Sequence, residues 1–364
     1  MMWGGDTPSR LARLEGRPSL KRITAAVGTG VCGLLAWSVL ATVGPAPAAT
    51  GAGVTVMGPL VAAGPVAGSV SGSERGAYEW DDSTWWPDPS AYTATFGQLK
   101  SLGVNSLYVD ITEVVSLTRD HSSELASFEA DFGQLVQEAN NEGFAVDAVG
   151  GDPTWATTDR QGPAQLLGAV SQILTDFPDA SLDGVQFDVE PWGLKGWRSH
   201  RATYARDWLR FMKTSVTAWQ VDGLRGRLGF TVPYWFDGDT GGVPRVTFDG
   251  STNYPFQSSL GILAALPDTM LNVMAYRNTT TGPNGSEALF AGNLTAATAD
   301  ASTTELLVGQ ETGDVLPAET TFYGLSCATF ETATNQIADA FDGDTQYRGI
   351  AVDDVESLEA LCPG

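Results

Sequence analysis

The sequence predicts one α/β domain, a (β/α)8 TIM barrel: a closed ring of eight parallel strands, each followed by helix. Three observations carry this. From Arg75 onward, short apolar or alternating runs alternate with longer amphipathic ones, the pattern of βα repeats. Eight such strand runs occur over a length close to the roughly 250 residues such barrels use. No strand leads into a Gly-x-Gly-x-x-Gly turn, so a doubly wound dinucleotide fold explains the chain less well.

The strands are predicted in order at 76–80, 105–110, 144–149, 183–190, 227–234, 270–276, 305–311 and 348–353. Each is a short apolar or alternating run. Between them, helical spacing of apolar residues predicts helices at 89–102, 129–142, 163–177, 199–219, 257–265 and 328–341. Pro89 and Pro163 stand where a first helical turn tolerates a missing N–H.

The first 74 residues read differently. Arg10, Arg13, Arg17, Lys21 and Arg22 precede an apolar run from Ile23 to Val43, and Ala46-Pro47-Ala48 follows as a small-residue cleavage site. That order is expected of a secretory signal over 1–48, with an uncleaved membrane anchor as the alternative. Residues 49–74, rich in Gly, Ala, Val and Ser, are expected to be a flexible linker, leaving 75–364 as the barrel. Export leaves Cys327 and Cys362, an even pair expected to form a disulfide.

The formal charge of −23 disfavours nucleic acid and anionic membrane surfaces as partners. Two histidines and three cysteines make a His/Cys metal site improbable, so neither metal nor cofactor is expected. A Ser-His-Asp hydrolase is disfavoured by the same scarcity and by the lack of a Gly-x-Ser-x-Gly elbow. A monomer acting on a neutral or cationic partner is the expectation.

In such barrels chemistry gathers where the strands end. Those ends carry Trp80, Asp110 and Glu113, Asp147 and Asp152, Asp188 and Glu190, Tyr234 and Trp235, Tyr276, Gln310 and Glu311, and Asp353 and Asp354. Carboxylates and aromatics dominate. Carboxylate pairs do acid–base work on glycosidic bonds, and aromatic rings stack on sugar faces. On the fourth strand, alternation places Gln186, Asp188 and Glu190 on one face and Phe187 and Val189 on the other. Three polar residues stepping up the inside of a barrel are costly to bury unless they bond one another or a ligand.

Here the chain resembles the family-18 glycoside hydrolases, the chitinase family. Their fourth-strand pattern Asp-x-x-Asp-x-Asp-x-Glu is met by Asp183, Asp188 and Glu190, with Gln186 in the remaining place. Their Met-x-Tyr-Asp on the sixth strand is met as Met274-Ala-Tyr276, followed by Arg277. The resemblance implies that Glu190 protonates the leaving oxygen. Asp188 and Tyr276 would then hold a substrate N-acetyl group that acts as internal nucleophile. Asp183, Gln186 and Arg277 would line the substrate site. Gln186, Arg277 and an eighth strand ending in Asp353-Asp354 rather than Trp depart from the pattern. A second likeness is to retaining glycosidases with an acid/base Glu ending strand four and a nucleophilic Glu ending strand seven, which would be Glu190 and Glu311. There Val189 departs from the usual Asn.

Two classes of function follow. One is a secreted glycoside hydrolase with Glu190 as acid/base, Asp188 or Glu311 as partner and Tyr276 beside them. Its expected sugar contacts are Trp80, Asp110, Trp192, Tyr234 and Trp235. The other is a catalytically silent, carbohydrate-binding barrel.

Overall fold

The computed structural model describes residues 73–80, 88–238 and 242–364. The predicted signal and the linker up to residue 72 lie outside the described residues. The first strand, β1, runs Glu74–Glu79, so Glu74 belongs to the barrel and not to the linker. After it come α1 (Pro89–Ser101), β2 (Ser106–Asp110), α2 (Glu113–Arg119), α3 (Leu125–Asn141) and β3 (Ala145–Gly150). The chain continues through α4 (Gly162–Asp176), β4 (Gly184–Phe187), α5 (Trp197–Asp222) and β5 (Arg227–Pro233). A small antiparallel hairpin, β6 (Val246–Phe248) and β7 (Ser251–Asn253), leads to α6 (Pro255–Leu263). The remainder is β8 (Thr269–Met274), α7 (Ser286–Ala299), β9 (Glu305–Glu311), α8 (Cys327–Phe341), β10 (Tyr347–Asp353) and α9 (Val355–Leu361).

The eight strands other than the hairpin close into a parallel barrel in the order β1-β10-β9-β8-β5-β4-β3-β2. This is the (β/α)8 fold that the alternating runs predict. Some helices carry local start signals. Asp88 caps α1, accepting from the Ser90 N–H, with Pro89 as first helical residue. Asp354 closes a capping box with Ser357 at the head of α9. Among the described residues no helix is long and apolar enough to cross a membrane.

Strand alternation sorts the side chains into two cores. Outward-facing Leu107, Val109, Val146, Phe187, Phe230 and Val273 pack under the helices in the larger one. Inside the barrel, Tyr78, Tyr108, Val149, Met270, Leu307 and Ala351 form a second cluster, with Trp80 on top. The interior is therefore a stack of side-chain layers and not a pore. The expected Cys327–Cys362 disulfide is present and ties the start of α8 to the chain's end.

Candidate active site

The lowest layer of the interior is ionic. Arg227, the first residue of β5, forks onto both oxygens of Glu74 at 2.7 and 3.0 Å and reaches Asp147 Oδ2 at 2.9 Å. Tyr108 and Arg348 donate to Glu74 as well, at 2.5 and 3.0 Å. Burial opposes the charge on Glu74, but the guanidinium and these hydrogen bonds prevail and bring its pKa from 4.5 down to about 2. Asp147 fares otherwise. Its Oδ1 has no hydrogen-bond partner, and burial, with Glu74 nearby, outweighs Arg227 and pushes its pKa up to about 7. This corrects the expectation that Asp147 ends its strand at the mouth: it pairs in register with Gly184, at the start of β4.

Asp183 needs the same correction. It precedes β4 at the N-terminal end of the barrel, and its Oδ2 accepts from the Val146 N–H at 2.9 Å. It joins β3 to β4 and is at the far end of the strand from the mouth.

The middle layer centres on the Tyr78 hydroxyl. Gln186 donates to it through Nε2 and Asn272 donates through Nδ2 at 2.7 Å. Gln186 also reaches Thr231 Oγ1 at 3.3 Å and is wholly buried. Its expected contact with substrate is thus replaced by a structural bond network, one layer below the mouth.

The upper layer begins where the strands stop. β4 ends at Phe187, and Asp188 carries the chain on by donating its N–H to the Gly150 carbonyl at 3.1 Å. Glu190 follows at the head of a short 3₁₀ turn, Pro191–Gly193, and is partly exposed. Pro191 cannot donate to a sheet ladder, which helps end the strand and lift Glu190 to the rim. From β9, Glu311 points inward and is 2% exposed, its Oε1 accepting the Gly313 N–H at 2.6 Å. From β10, Asp353 stands in register with Glu311. It accepts from Trp80 Nε1 at 2.7 Å and from the Tyr276 hydroxyl at 3.3 Å.

Tyr276 is the meeting point. Burial raises its hydroxyl pKa well above the usual phenol value, and the charges of Asp353, Glu311, Asp188 and Glu190 add to that in turn. Four carboxylates from three sequence-distant segments therefore bear on one phenol. Gly309 makes room for this ring: a Cβ there would come within 3.0 Å of Tyr276 Cε1 and 3.1 Å of Asn272 Oδ1. Asp353, which ends β10, belongs to this group. Its neighbour Asp354 is the structural one, as the cap of α9.

The aromatic expectations divide. Trp80 is at the mouth, partly exposed, stacked on Tyr78 with ring centroids 4.8 Å apart. Tyr234 is partly exposed, and the Arg277 guanidinium lies 5.8 Å from its ring centroid. Arg277 also donates to the Tyr276 carbonyl at 2.6 Å. Trp235, by contrast, is buried in the outer core, and Trp192 packs edge-on against Phe236 at 5.2 Å and against Trp235 at 6.0 Å. Trp235 therefore braces the loop after β5 and offers no open face to a sugar, whereas Trp192, though packed on that core, is partly exposed. Asp110 sits at the mouth end of β2, accepting from the Thr112 N–H and hydroxyl. Asp152 caps a short turn, and wholly buried Gln310 accepts from Ser286 and donates to the Ala275 carbonyl. Among the described residues no group of three or more His, Cys, Asp and Glu is arranged to hold a metal ion.

No protein-family model matches the chain, and no curated protein matches its sequence. Solved structures do match. A GH18 chitinase from Pseudoalteromonas aurantia aligns with a TM-score of 0.51 at 10% identity, over 79% of this chain and 98% of that one. A β-glucosidase from Thermotoga maritima, in complex with deoxynojirimycin, aligns with a TM-score of 0.50 at 12% identity, over 78% and 88%. These likenesses establish a common barrel fold.

Proposed function

We propose that the protein is a glycoside hydrolase with Glu190 as general acid/base. The observation that carries this is the convergence of Asp188, Glu190, Glu311 and Asp353 on Tyr276 at the C-terminal mouth of the barrel. The two carboxyl groups needed for glycosidic cleavage differ in environment as their roles require. Glu190 is partly exposed at the rim, where it can meet a leaving-group oxygen. Glu311 is buried and held by a backbone N–H, as suits a nucleophile fixed in place.

In the favoured mechanism the Glu190 proton passes to the glycosidic oxygen as the bond from C1 to that oxygen breaks. A Glu311 oxygen bonds to C1. Water, deprotonated by Glu190, then displaces Glu311 and releases the sugar. Asp353 holds the Tyr276 hydroxyl and Trp80 at the rim. The fold shared with a chitinase and a β-glucosidase supports carbohydrate as the substrate.

The second reading makes the substrate's N-acetyl group the nucleophile, steadied by Asp188. Asp188 is buried and bears on Tyr276, which supports it. Against it stands Gln186, an amide bound to Tyr78 and Thr231, which has no acidic proton to share with Asp188. Outside-the-cytoplasm action fits the N-terminal residue order and the disulfide.

Glu311→Gly tested with added azide separates these readings. If Glu311 is the nucleophile, the variant is inactive on glycans the wild type cleaves, and azide restores turnover as a glycosyl azide. Full activity without azide, confined to N-acetylated substrates, assigns the step to the Asp188 reading. Wild-type binding to a polysaccharide with no reducing ends released from any glycan bound would instead mark a silent, lectin-like barrel.

A further inference from the structure

Among the described residues, four large apolar side chains stand exposed: Val221, Leu316, Tyr323 and Leu325. Isolated cases are ordinary on any surface, but three of these fall within ten residues of one loop. That loop, 312–326, joins β9 to α8 at the mouth and begins immediately after Glu311.

The loop is clasped to Glu311 twice. The Gly313 N–H donates to the Glu311 carboxylate at 2.6 Å, and the Phe322 N–H donates to the Glu311 carbonyl at 2.9 Å. Thr321 Oγ1 closes the loop on itself at the Gly313 carbonyl, and Asn278 braces it from the segment after β8 through the Ala318 and Thr321 carbonyls. Phe322 is fully buried against Phe330. The Leu325 N–H returns to the Phe322 carbonyl, and Gly324 takes the positive φ of 75° that such a turn requires. Tyr323 therefore rides at the tip of a rigid turn, 57% exposed, between a buried anchor and a glycine.

From this we infer that Tyr323, with Leu316 and Leu325 in the same loop, forms an outlying subsite that stacks an uncharged sugar ring of an extended glycan. The inference rests on the glycosidase reading above. An aromatic ring with a polar tip suits the apolar face and hydroxyl edge of a pyranose. Continuity with Glu311 makes the chain being cleaved the occupant. Asp314 and Glu319 in the same loop disfavour an anionic sugar.

The test uses the full chain and cello-, chito- and laminari-oligosaccharides of two to six sugars, taking the series the wild type cleaves. For the longest member, Tyr323→Ala should raise KM about two- to tenfold, the range set by one stacking contact. The shortest cleaved member should keep its KM and kcat, and Tyr323→Trp should restore the longest member's KM. Equal effects on all lengths, or none, would overturn the subsite while leaving the glycosidase reading intact. A wild type that binds glycans but releases no reducing ends from any glycan bound would overturn both.

Discussion

Replacing Arg227 by Met removes the guanidinium between Glu74 and Asp147 while keeping an apolar stem of similar length. Two routes give its magnitude. The pKa of Glu74 falls from 4.5 to about 2 in the folded protein. At about 1.4 kcal/mol per unit, that shift corresponds to about 3 kcal/mol of stabilisation. Removing one member of a buried ion pair costs about 3–5 kcal/mol by general experience.

The pH dependence is the sharper signature. Because the pKa of Glu74 is lowered, its contribution is complete above pH 4.5 and is lost as pH falls towards 2. The pKa of Asp147 is raised from 3.8 to about 7, so its contribution is complete below 3.8 and is lost as pH rises through 7. Without Arg227 both carboxyls become buried acids that resist ionisation, and the variant weakens steadily as pH rises. Urea denaturation should therefore show a stability loss of about 3–5 kcal/mol near neutral pH and a clearly smaller one near pH 4. Equal losses at both values, or a neutral-pH loss below about 1 kcal/mol, would refute the reasoning.

Gly309→Ala places a methyl 3.0 Å from Tyr276 Cε1. The expected outcome is a loss of about 1–3 kcal/mol in thermal or urea unfolding, with a larger proportional fall in kcat than in stability. Unchanged turnover would argue that the Tyr276 position does not matter. Removing the disulfide with Cys327→Ser and Cys362→Ser opens a loop spanning 35 residues. The chain-entropy relation then predicts up to about 4 kcal/mol lost, read as a shift of the urea midpoint equal to that given by reductant on the wild type.

The repeating alternation of apolar residues made the barrel legible, because strand and helix periods differ and eight repeats leave few alternatives. Helix α7 was harder. Its buried stripe includes Ser286 and Asn293 beside Phe290, Leu294 and Ala297, so no continuous apolar face announces it. Which residues face inward was equally legible, since Gln186 and Asp188 follow from the strand period alone. Their depth was not. The run 183–190 reads as one strand, but only Gly184–Phe187 pairs as one. Asp183 falls at the base, Gln186 in the middle and Glu190 at the rim.

The ionic base was missed for a related reason. Glu74, Asp147 and Arg227 are far apart in sequence, and only the barrel's register brings them together. Carrying the inward phase back along β1 and β5 would have placed Glu74 and Arg227 inside. Asp353 is reached by the same phase from Gly349 and Ala351. One tryptophan resisted for a chemical reason: Trp235 has the composition of a sugar platform, and only its burial against Phe236 shows it to be packing.

The central claim is that Glu190 is the acid/base of a glycosidase, and Glu190→Gln tests it most directly. The amide keeps the shape of the partly exposed side chain but carries no transferable proton. Reducing-end release from a glycan cleaved by the wild type should fall by about a hundredfold or more, the usual loss of a general acid, with the thermal midpoint unchanged. A wild-type rate in this variant would contradict the account.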